Sequence, residues 1–280
     1  MPGQSRPQWR LLDTGPADGF TNMAVDEAML EVFAAKGGAS TLRFYRWSPP
    51  ALSLGYGQSI ACEIDLSQCT SLGIDVVRRP TGGRAVLHDH EVTYSVVISA
   101  DDPRITSGIL APYLTISQAM IRGLSYLGIT AELLPLQRGN RLPSESASAV
   151  CFAMPSSYEV AVRGRKIIGS AQRRAHGVIM QHGSIPLSHD LDKMRAVFSS
   201  SLWGCRSAHG EPGYQDHMTS LQEAGGRVYS DAEVVAALGR GIAETWQVDL
   251  LPGQLSADER ELSAHLRATK YGSDSWIWRR

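Results

Sequence analysis

The segment 151–187, CFAMPSSYEVAVRGRKIIGSAQRRAHGVIMQHGSIPL, decides how the rest of the chain is read. It opens on a lone cysteine, Cys151, behind a run of small residues. Tyr158, Val160 and Val162 then alternate, Arg163-Gly164 can turn, and Lys166, Ile167 and Ile168 lead out again, the pattern of a β-hairpin. Gly169-Ser170-Ala171 offers almost no side-chain bulk, so a ligand or another backbone can approach closely. Two more β-prone runs, 178–180 and 184–187, flank Gln181-His182-Gly183. One compact β unit therefore presents a thiol, an ammonium group and a bare floor. Acyl transfer through a thioester needs those three parts.

Composition frames this unit. A chain of 280 residues with 43% apolar and 20% charged residues is an ordinary globular sequence, long enough for one large α/β domain. A net charge of −1 gives no footprint for nucleic acid, and no apolar run is long enough to span a membrane. The N-terminus, MPGQSRPQWR, has no apolar stretch behind its basic residues, so a cytoplasmic protein without a signal peptide is expected. The four cysteines, Cys62, Cys69, Cys151 and Cys205, form neither a CxxC pair nor a zinc-ligand spacing, and free thiols are expected.

Taken in order, residues 1–9 read as a loose arm and 11–13 as the start of a strand. Asn22 is placed to cap a helix over 23–36, with Asp26 and Glu27 in its first turn and Gly37-Gly38 as its stop. Its apolar spacing predicts an amphipathic packing helix and nothing more. Strands are expected over 41–47, 51–55, 74–78, 92–99 and 130–134, and a helix over 110–127. Residues 135–149 are polar and rich in Pro, Gly and Ser, the composition of a mobile loop. Short helical and loop patterns follow over 191–199 and 204–217. Ser230 with Glu233, and Ser256 with Glu259, have capping-box spacing for two late helices, with a strand over 248–251 between them. Trp276 and Trp278 are expected to pack the tail back onto the body. No linker divides the chain. The expected fold is α+β: one domain over 1–280, mixed β-sheets flanked by helices, with a helical C-terminal part from about residue 230.

The segment 78–88, RRPTGGRAVLH, is the second candidate site. Gly82-Gly83 permits positive φ and can gather main-chain N–H groups into a cradle for an anion or carbonyl. Arg78, Arg79 and Arg84 flank it and can hold a phosphate or carboxylate. On pattern alone a plain hairpin turn with exposed arginines is the favoured reading, because a Gly-Gly turn between strands is common. No Lys-Ser/Thr pair follows at P-loop spacing.

Several segments together resemble the biotin/lipoate-ligase-like acyltransferase superfamily: NMAVDE at 22–27, LRFYRW at 42–47, RRPTGGRAVLHD at 78–89, EVTYS at 91–95, KIIGSAQ at 166–172 and KYG with Trp276 at 270–276. The branch most resembled is the cysteine-dependent octanoyl-[acyl carrier protein]:protein N-octanoyltransferases of Gram-positive type. Their Cys-Phe, Pro-Ser-x-Tyr-Glu and Gly-Arg-Lys-x-x-Gly-Ser-Ala-Gln motifs match Cys151-Phe152, 155–159 and 164–172. The resemblance implies a biotin/lipoate-ligase-like catalytic domain in which Cys151 carries the acyl group and Lys166 lowers its pKa. It implies acyl carrier protein as donor, a lipoyl-domain protein such as glycine-cleavage H protein as acceptor, and no resident cofactor. A monomer is expected. Lipoate–protein ligases share the lysine but usually carry a third glycine where Arg84 stands and lack the cysteine. An amidotransferase between lipoyl domains also uses a cysteine, but the FxxPSSYE pattern at 152–159 resembles that branch less. A non-catalytic acyl-binding protein on the same fold is a further alternative.

The residues suit that chemistry. A free thiol with pKa of about 8.5 is only a few per cent ionised at neutral pH, and a neighbouring ammonium favours the thiolate. Backbone N–H groups near Gly82-Gly83 or Gly169 can assist Lys166 at an oxyanion. His88, His176 and His182 are candidates to accept the proton of the attacking lysine, with His176 better read as a plain loop residue. Tyr45, Leu54, Tyr56, Thr81, Val86 and Gly169 are the expected lining of an acyl slot. Burying the chain there contributes roughly 0.8 kcal/mol per CH₂. Arg79, Gly82, Gly83, Arg84, His88 and Ser170 complete the expected substrate-binding set.

Overall fold

The computed structural model describes residues 5–59, 64–105, 110–135, 158–198 and 217–279. The stretch 1–9, expected as a loose arm, is in a strand from Gln8 onward. Strand β1 (Gln8–Ala17) is already paired on both sides from Gln8 and Arg10 onward, and Trp9 is buried against Trp246. An aromatic ring with an apolar contact of that size outweighs the polar composition of the residues before it.

Helix α1 (Gly19–Lys36) starts one turn before the expected cap. Asp18, not Asn22, accepts from the Thr21 N–H at 2.7 Å and caps it. Asn22 is inside the helix, buried, and bonded to the carbonyls of Ala17 and Arg46. Residues 22–30 are buried without a break, so the N-terminal half of α1 runs through the interior instead of lying amphipathically on it. Asp26 and Glu27 are therefore buried acids, which sets up the site below.

After α1 come β2 (Thr41–Trp47), β3 (Ala51–Leu54), α2 (Leu66–Ser71), β4 (Asp75–Arg78), β5 (Val86–His88), β6 (Glu91–Ser99), α3 (Ala111–Tyr126) and β7 (Glu132–Pro135). The chain is next described at β8 (Tyr158–Val162), followed by β9 (Arg165–Ala175), β10 (Val178–Pro186) and α4 (Leu191–Val197). The C-terminal part holds α5 (Leu221–Gly225), α6 (Asp231–Trp246), β11 (Asp249–Pro252), α7 (Ala257–Leu266), a π-helical turn (Arg267–Tyr271) and α8 (Asp274–Ile277). Both expected capping boxes are present, at Ser230/Glu233 and Ser256/Glu259.

The described strands form a mixed sheet in the order β11-β1-β2-β6-β10-β9-β8-β7 and a smaller sheet in the order β4-β3-β5. In the large sheet β1 is parallel to β2 and β11, and the remaining pairs are antiparallel. Helices α3 and α6 cover one face over Ile116, Met120, Leu124, Leu238 and Ile242. On the other face α1 packs Val25, Met29 and Leu30 against Leu12, Val97 and Met180. The small sheet has its own core with α2 and α4, through Leu52, Leu54, Cys69, Met194 and Phe198. The two β-prone runs around Gln181-His182-Gly183 are one continuous strand, β10, because β6 and β9 pair it on both sides along its length. No helix among the described residues is long and apolar enough to cross a membrane.

Candidate active site

The hairpin that carries Lys166 forms as its sequence dictates. Arg163 and Gly164 take φ of 51° and 77°, the two positive values a tight hairpin turn requires. A register irregularity between Val160 and Ala161 places Lys166 opposite Ala161 and Ile168 opposite Val160. The Lys166 ammonium donates to Glu159 Oε1 at 2.6 Å, and the lysine side chain is 37% exposed. A pair this open contributes up to about 1 kcal/mol to stability, so its main effect is to aim the ammonium. A Cβ built on Gly169 would lie 3.3 Å from Lys166 Cε and 3.8 Å from Nζ. The lysine thus lies across the bare floor that the sequence anticipated.

That floor is rigid. Ser170 Oγ and Tyr94 OH are 2.8 Å apart, and Gln181 Nε2 donates to Tyr94 OH at 2.8 Å. Burial pushes the Tyr94 phenol well up, so it stays protonated. Gly183, opposite Ser170, has no room for a side chain: a Cβ there would sit 2.5 Å from Tyr94 Cε1 and 2.9 Å from Gly169 O.

Two buried relays back the 78–88 segment. In the first, Thr81 Oγ1 is 2.7 Å from His182 Nε2, and His182 Nδ1 is 3.0 Å from Asp26 Oδ2. Arg43 Nη1 and Tyr45 OH also donate to Asp26, at 2.7 and 2.9 Å. Burial pushes the Asp26 carboxyl up, but Arg43 and His182 outweigh it and hold the group below the usual carboxylate range. Burial lowers His182, which is neutral. Its Nδ1–H therefore donates to Asp26, and Nε2 accepts the Thr81 hydroxyl. In the second relay Ser53 Oγ is 2.7 Å from His88 Nε2, and His88 Nδ1 is 2.7 Å from Glu91 Oε1. Trp47 stacks on His88 at 4.0 Å and donates to Glu91 and Thr93. Both nitrogens of His88 and of His182 are engaged. His176 is on the β9–β10 turn with a 67% exposed side chain. It is ten residues along β9 from Lys166, roughly 30 Å.

The arginines beside the glycine pair are braces. Arg79 is buried and donates to Ser53 O at 2.9 Å, to Gly82 O at 2.7 Å and to Arg84 O at 2.7 Å. Burial, then the neighbouring Arg78 charge, pulls it down to about 10. The expectation that it holds an anion is corrected: its donors are spent on backbone carbonyls. Arg78 likewise bonds Ile277 O, Gly55 O and Gln58 O, tying the C-terminal segment to the loop, while Trp276 Nε1 donates to Arg78 O. Gly83 takes φ of 96°, and Gly55 must be glycine because a Cβ there would fall 1.9 Å from Gly83 O. Gly82 is half-buried; Gly83 and Arg84 are exposed.

Of the expected slot lining, Tyr45 and Leu54 are fully buried in packed cores, Tyr45 with its hydroxyl on Asp26. Thr81 is buried on His182, Val86 is half-buried, and Tyr56 is 42% exposed under the Arg279 guanidinium at 4.0 Å. Cys151 lies outside the described residues, as does the 136–157 segment that contains it.

Residues 18–243 match the family described as the lipoyl protein ligase A/B catalytic domain. The chain belongs to that family. It is 43% identical over 273 residues to Octanoyltransferase LipM of Kyrpidia tusciae, covering 97% of this chain and 99% of that one. It is 42% identical over 280 residues to Octanoyltransferase LipM of Moorella thermoacetica, covering all of both chains. Among solved structures, a putative lipoate protein ligase from T. acidophilum with bound lipoic acid superposes with a TM-score of 0.78 at 27% identity, over 97% of this chain and 99% of that one. A lipoate-protein ligase A bound with ATP also scores 0.78, at 28% identity, over 97% and 98%. The expected α+β fold of mixed sheets flanked by helices is the fold of this lipoyl protein ligase A/B catalytic-domain protein, and the chain is an acyltransferase.

Sequence reasoning missed the buried partners in this catalytic domain, Asp26, Arg43, Glu91 and Ser53, and the half-buried Glu159. One signal was available for Asp26 and Glu27. Two adjacent acids with Ala24-Val25 before them and Ala28-Met29-Leu30 after them have apolar neighbours on every side of a helix. Glu27 accordingly binds Lys270 at 2.6 Å, Arg173 at 2.7 Å and Tyr271 at 2.9 Å, locking the C-terminal segment to α1 and β9.

Proposed function

We propose that the protein moves an octanoyl group from acyl carrier protein to a lysine of a lipoyl-domain protein, through a thioester on Cys151, in lipoate biosynthesis. The observation that carries this reading is the Lys166 ammonium, aimed by Glu159 across the side-chain-free floor at Gly169. The full-length likeness to octanoyltransferases supports the choice of acyl group.

The Cys151 thiolate attacks the carbonyl carbon of the donor thioester. The bond to the phosphopantetheine sulfur breaks, and that thiolate takes a proton as it leaves. One thioester replaces another, so this half-reaction is nearly balanced. A neutral lysine amine then attacks the acyl-enzyme, gives up a proton, and expels the Cys151 thiolate. Thioester to amide runs downhill, so the route needs no ATP. Lys166 favours the thiolate in both states and faces the charge that develops on the carbonyl oxygen. The acceptor is a lipoyl-domain protein; glycine-cleavage H protein has the required lysine chemistry.

The test is transfer from octanoyl-acyl carrier protein to a lipoyl domain without ATP. Cys151→Ala abolishes it on this reading; transfer at the normal rate by that variant refutes the thioester route. The solved relatives favour a second reading, ATP-dependent ligation of free lipoate. Activity that requires ATP and a free acid would select it.

A further inference from the structure

An open cleft of about 60 Å³ lies beside the Lys166 strand, bounded by Val86, Glu91, Ser184, His189, Phe198 and Met218, with Met194 and Pro186 also in its wall. It borders the Lys166–Gly169 stretch from two sides. Ser184 pairs with Gly169 across β9 and β10. Met218 forms a bridge with Lys166, and the next residue, Thr219, donates its N–H to Lys166 O at 2.8 Å. One polar atom in the wall lacks a partner among the described residues: His189 Nε2 is shielded from water and makes no hydrogen bond there. The Thr219 backbone beside the ring favours its protonated form. In the Nδ1–H tautomer of the neutral ring, Nε2 is an acceptor awaiting an N–H or O–H.

The rest of the wall narrows what supplies it. Asp89, Glu91 and Asp190 line the cleft with His90 and His189, which disfavours a phosphate or carboxylate and gives a bare alkyl chain poor walls. Asp89 is paired with Lys193, Asp190 caps α4, and Glu91 is hydrogen-bonded to His88 and Ser184, so none of these carboxylates needs the ligand. Met194, Phe198 and Met218 suit a short run of methylenes. A flexible alkyl stem ending in an N–H donor fits these requirements.

We propose that this cleft receives the acceptor lysine, a primary alkylamine, and that His189 Nε2 takes its proton during attack. The assignment rests on the transferase reading above. The amine enters neutral, having given one proton to water. As its nitrogen bonds to the acyl carbon, a second proton passes to His189 Nε2 and the carbon–sulfur bond breaks, releasing thiolate. Burial lowers the ring's pKa against the raising influence of the Thr219 backbone, Glu223 and Glu91, with Arg165 also lowering it. The ring is therefore in its base form at neutral pH. This differs from His88 and His182, whose nitrogens are all engaged.

The two half-reactions separate the claims. The enzyme is loaded from octanoyl-acyl carrier protein, isolated, and mixed with a lipoyl-domain protein or with n-butylamine, while acyl mass on the enzyme is followed. His189→Leu should load normally and deacylate about a hundredfold more slowly with both acceptors. Met218→Trp, which fills the cleft, should do the same. In His189→Gln, which restores an acceptor atom without a titrating base, the acid limb of the deacylation pH profile should disappear. Thermal melts establish that each variant is folded. Deacylation of His189→Leu and Met218→Trp at the normal rate overturns the proposal, as does an equal fall in loading and deacylation by folded variants. If the unaltered protein never gains acyl mass, the transferase reading fails by itself. The cleft is then judged by NMR titration of the His189 ring with n-butylamine, where an unmoved ring resonance overturns the proposal.

Discussion

Replacing Gly169 by alanine separates the chemistry of the floor from its stability. The new Cβ would sit 3.3 Å from Lys166 Cε and 3.8 Å from Nζ. Carbon atoms pack comfortably at about 3.5–4.0 Å, so the end of the lysine must give by a few tenths of an ångström. That end is flexible and, among the described residues, held by Glu159, and Gly169 does not have positive φ. Alanine also recovers about 0.5–1 kcal/mol of backbone entropy in a strand interior. The melting temperature should therefore hold or rise slightly. Catalysis should not hold, because a methyl group thickens the floor and pushes the ammonium aside. A misplacement on the order of 1 Å costs as much as 100-fold in rate, so a shift of a few tenths of an ångström should lower acyl loading by about three- to tenfold. Gly183→Ala is the contrast. Its Cβ would meet the Tyr94 ring at 2.5 Å and Gly169 O at 2.9 Å, and neither is a flexible end. That variant should lose about 1–3 kcal/mol of stability. Stopped-flow loading beside urea unfolding gives both quantities. Loading by Gly169→Ala at the normal rate would show that the lysine's seat over this glycine is irrelevant. Equal destabilisation of the two variants would show that the packing argument is wrong.

Asp26→Ala leaves the buried Arg43 without its carboxylate and should cost about 3–5 kcal/mol in urea unfolding. The folded-state pKa of Asp26 is depressed, so its contribution is present above the unfolded value of about 3.9 and is lost as pH falls through the folded value. Asp26→Asn should accordingly flatten the acid limb of stability against pH. Arg79→Lys replaces three carbonyl-directed contacts by an ammonium that cannot reproduce their fork, and should lose about 1.5–3 kcal/mol by the same unfolding measurement. Burial, then Asp65, raises the Cys69 thiol to about 11. At pH 8 about 0.1% of it is thiolate, so iodoacetamide should leave the Cys69 peptide unmodified in folded protein and label it in urea, as read by mass spectrometry.

The elements with a local signature were legible. The 158–168 hairpin, the two capping boxes and the strand over 41–47 each follow from turn chemistry, side-chain spacing or alternation within a few residues. The floor at Gly169 was legible for the same reason: absent side chains can be read without knowing what faces them. What failed depended on distant partners. Trp9 is ordered because Trp246 and β11 meet it from the other end of the chain. Gln181-His182-Gly183 reads as a break, yet β6 and β9 supply hydrogen bonds on both sides and make it mid-strand. Arg79 reads as an anion ligand because arginine beside glycines often is one; only the fold shows the carbonyls of Ser53, Gly82 and Arg84 converging on it. Asp26 was passed over because its partners Arg43 and His182 are 17 and 156 residues away.

The central claim is that the acyl group rests on one sulfur between donor and acceptor. Octanoyl-acyl carrier protein is mixed with enzyme without ATP, the reaction is quenched in acid, and the modified peptide is mapped. The account predicts one octanoyl increment on the Cys151 peptide, labile to hydroxylamine, which moves to the acceptor lysine when lipoyl domain is added and which Lys166→Met forms slowly. Modification of the lipoyl domain with no acyl increment ever present on Cys151 would contradict it.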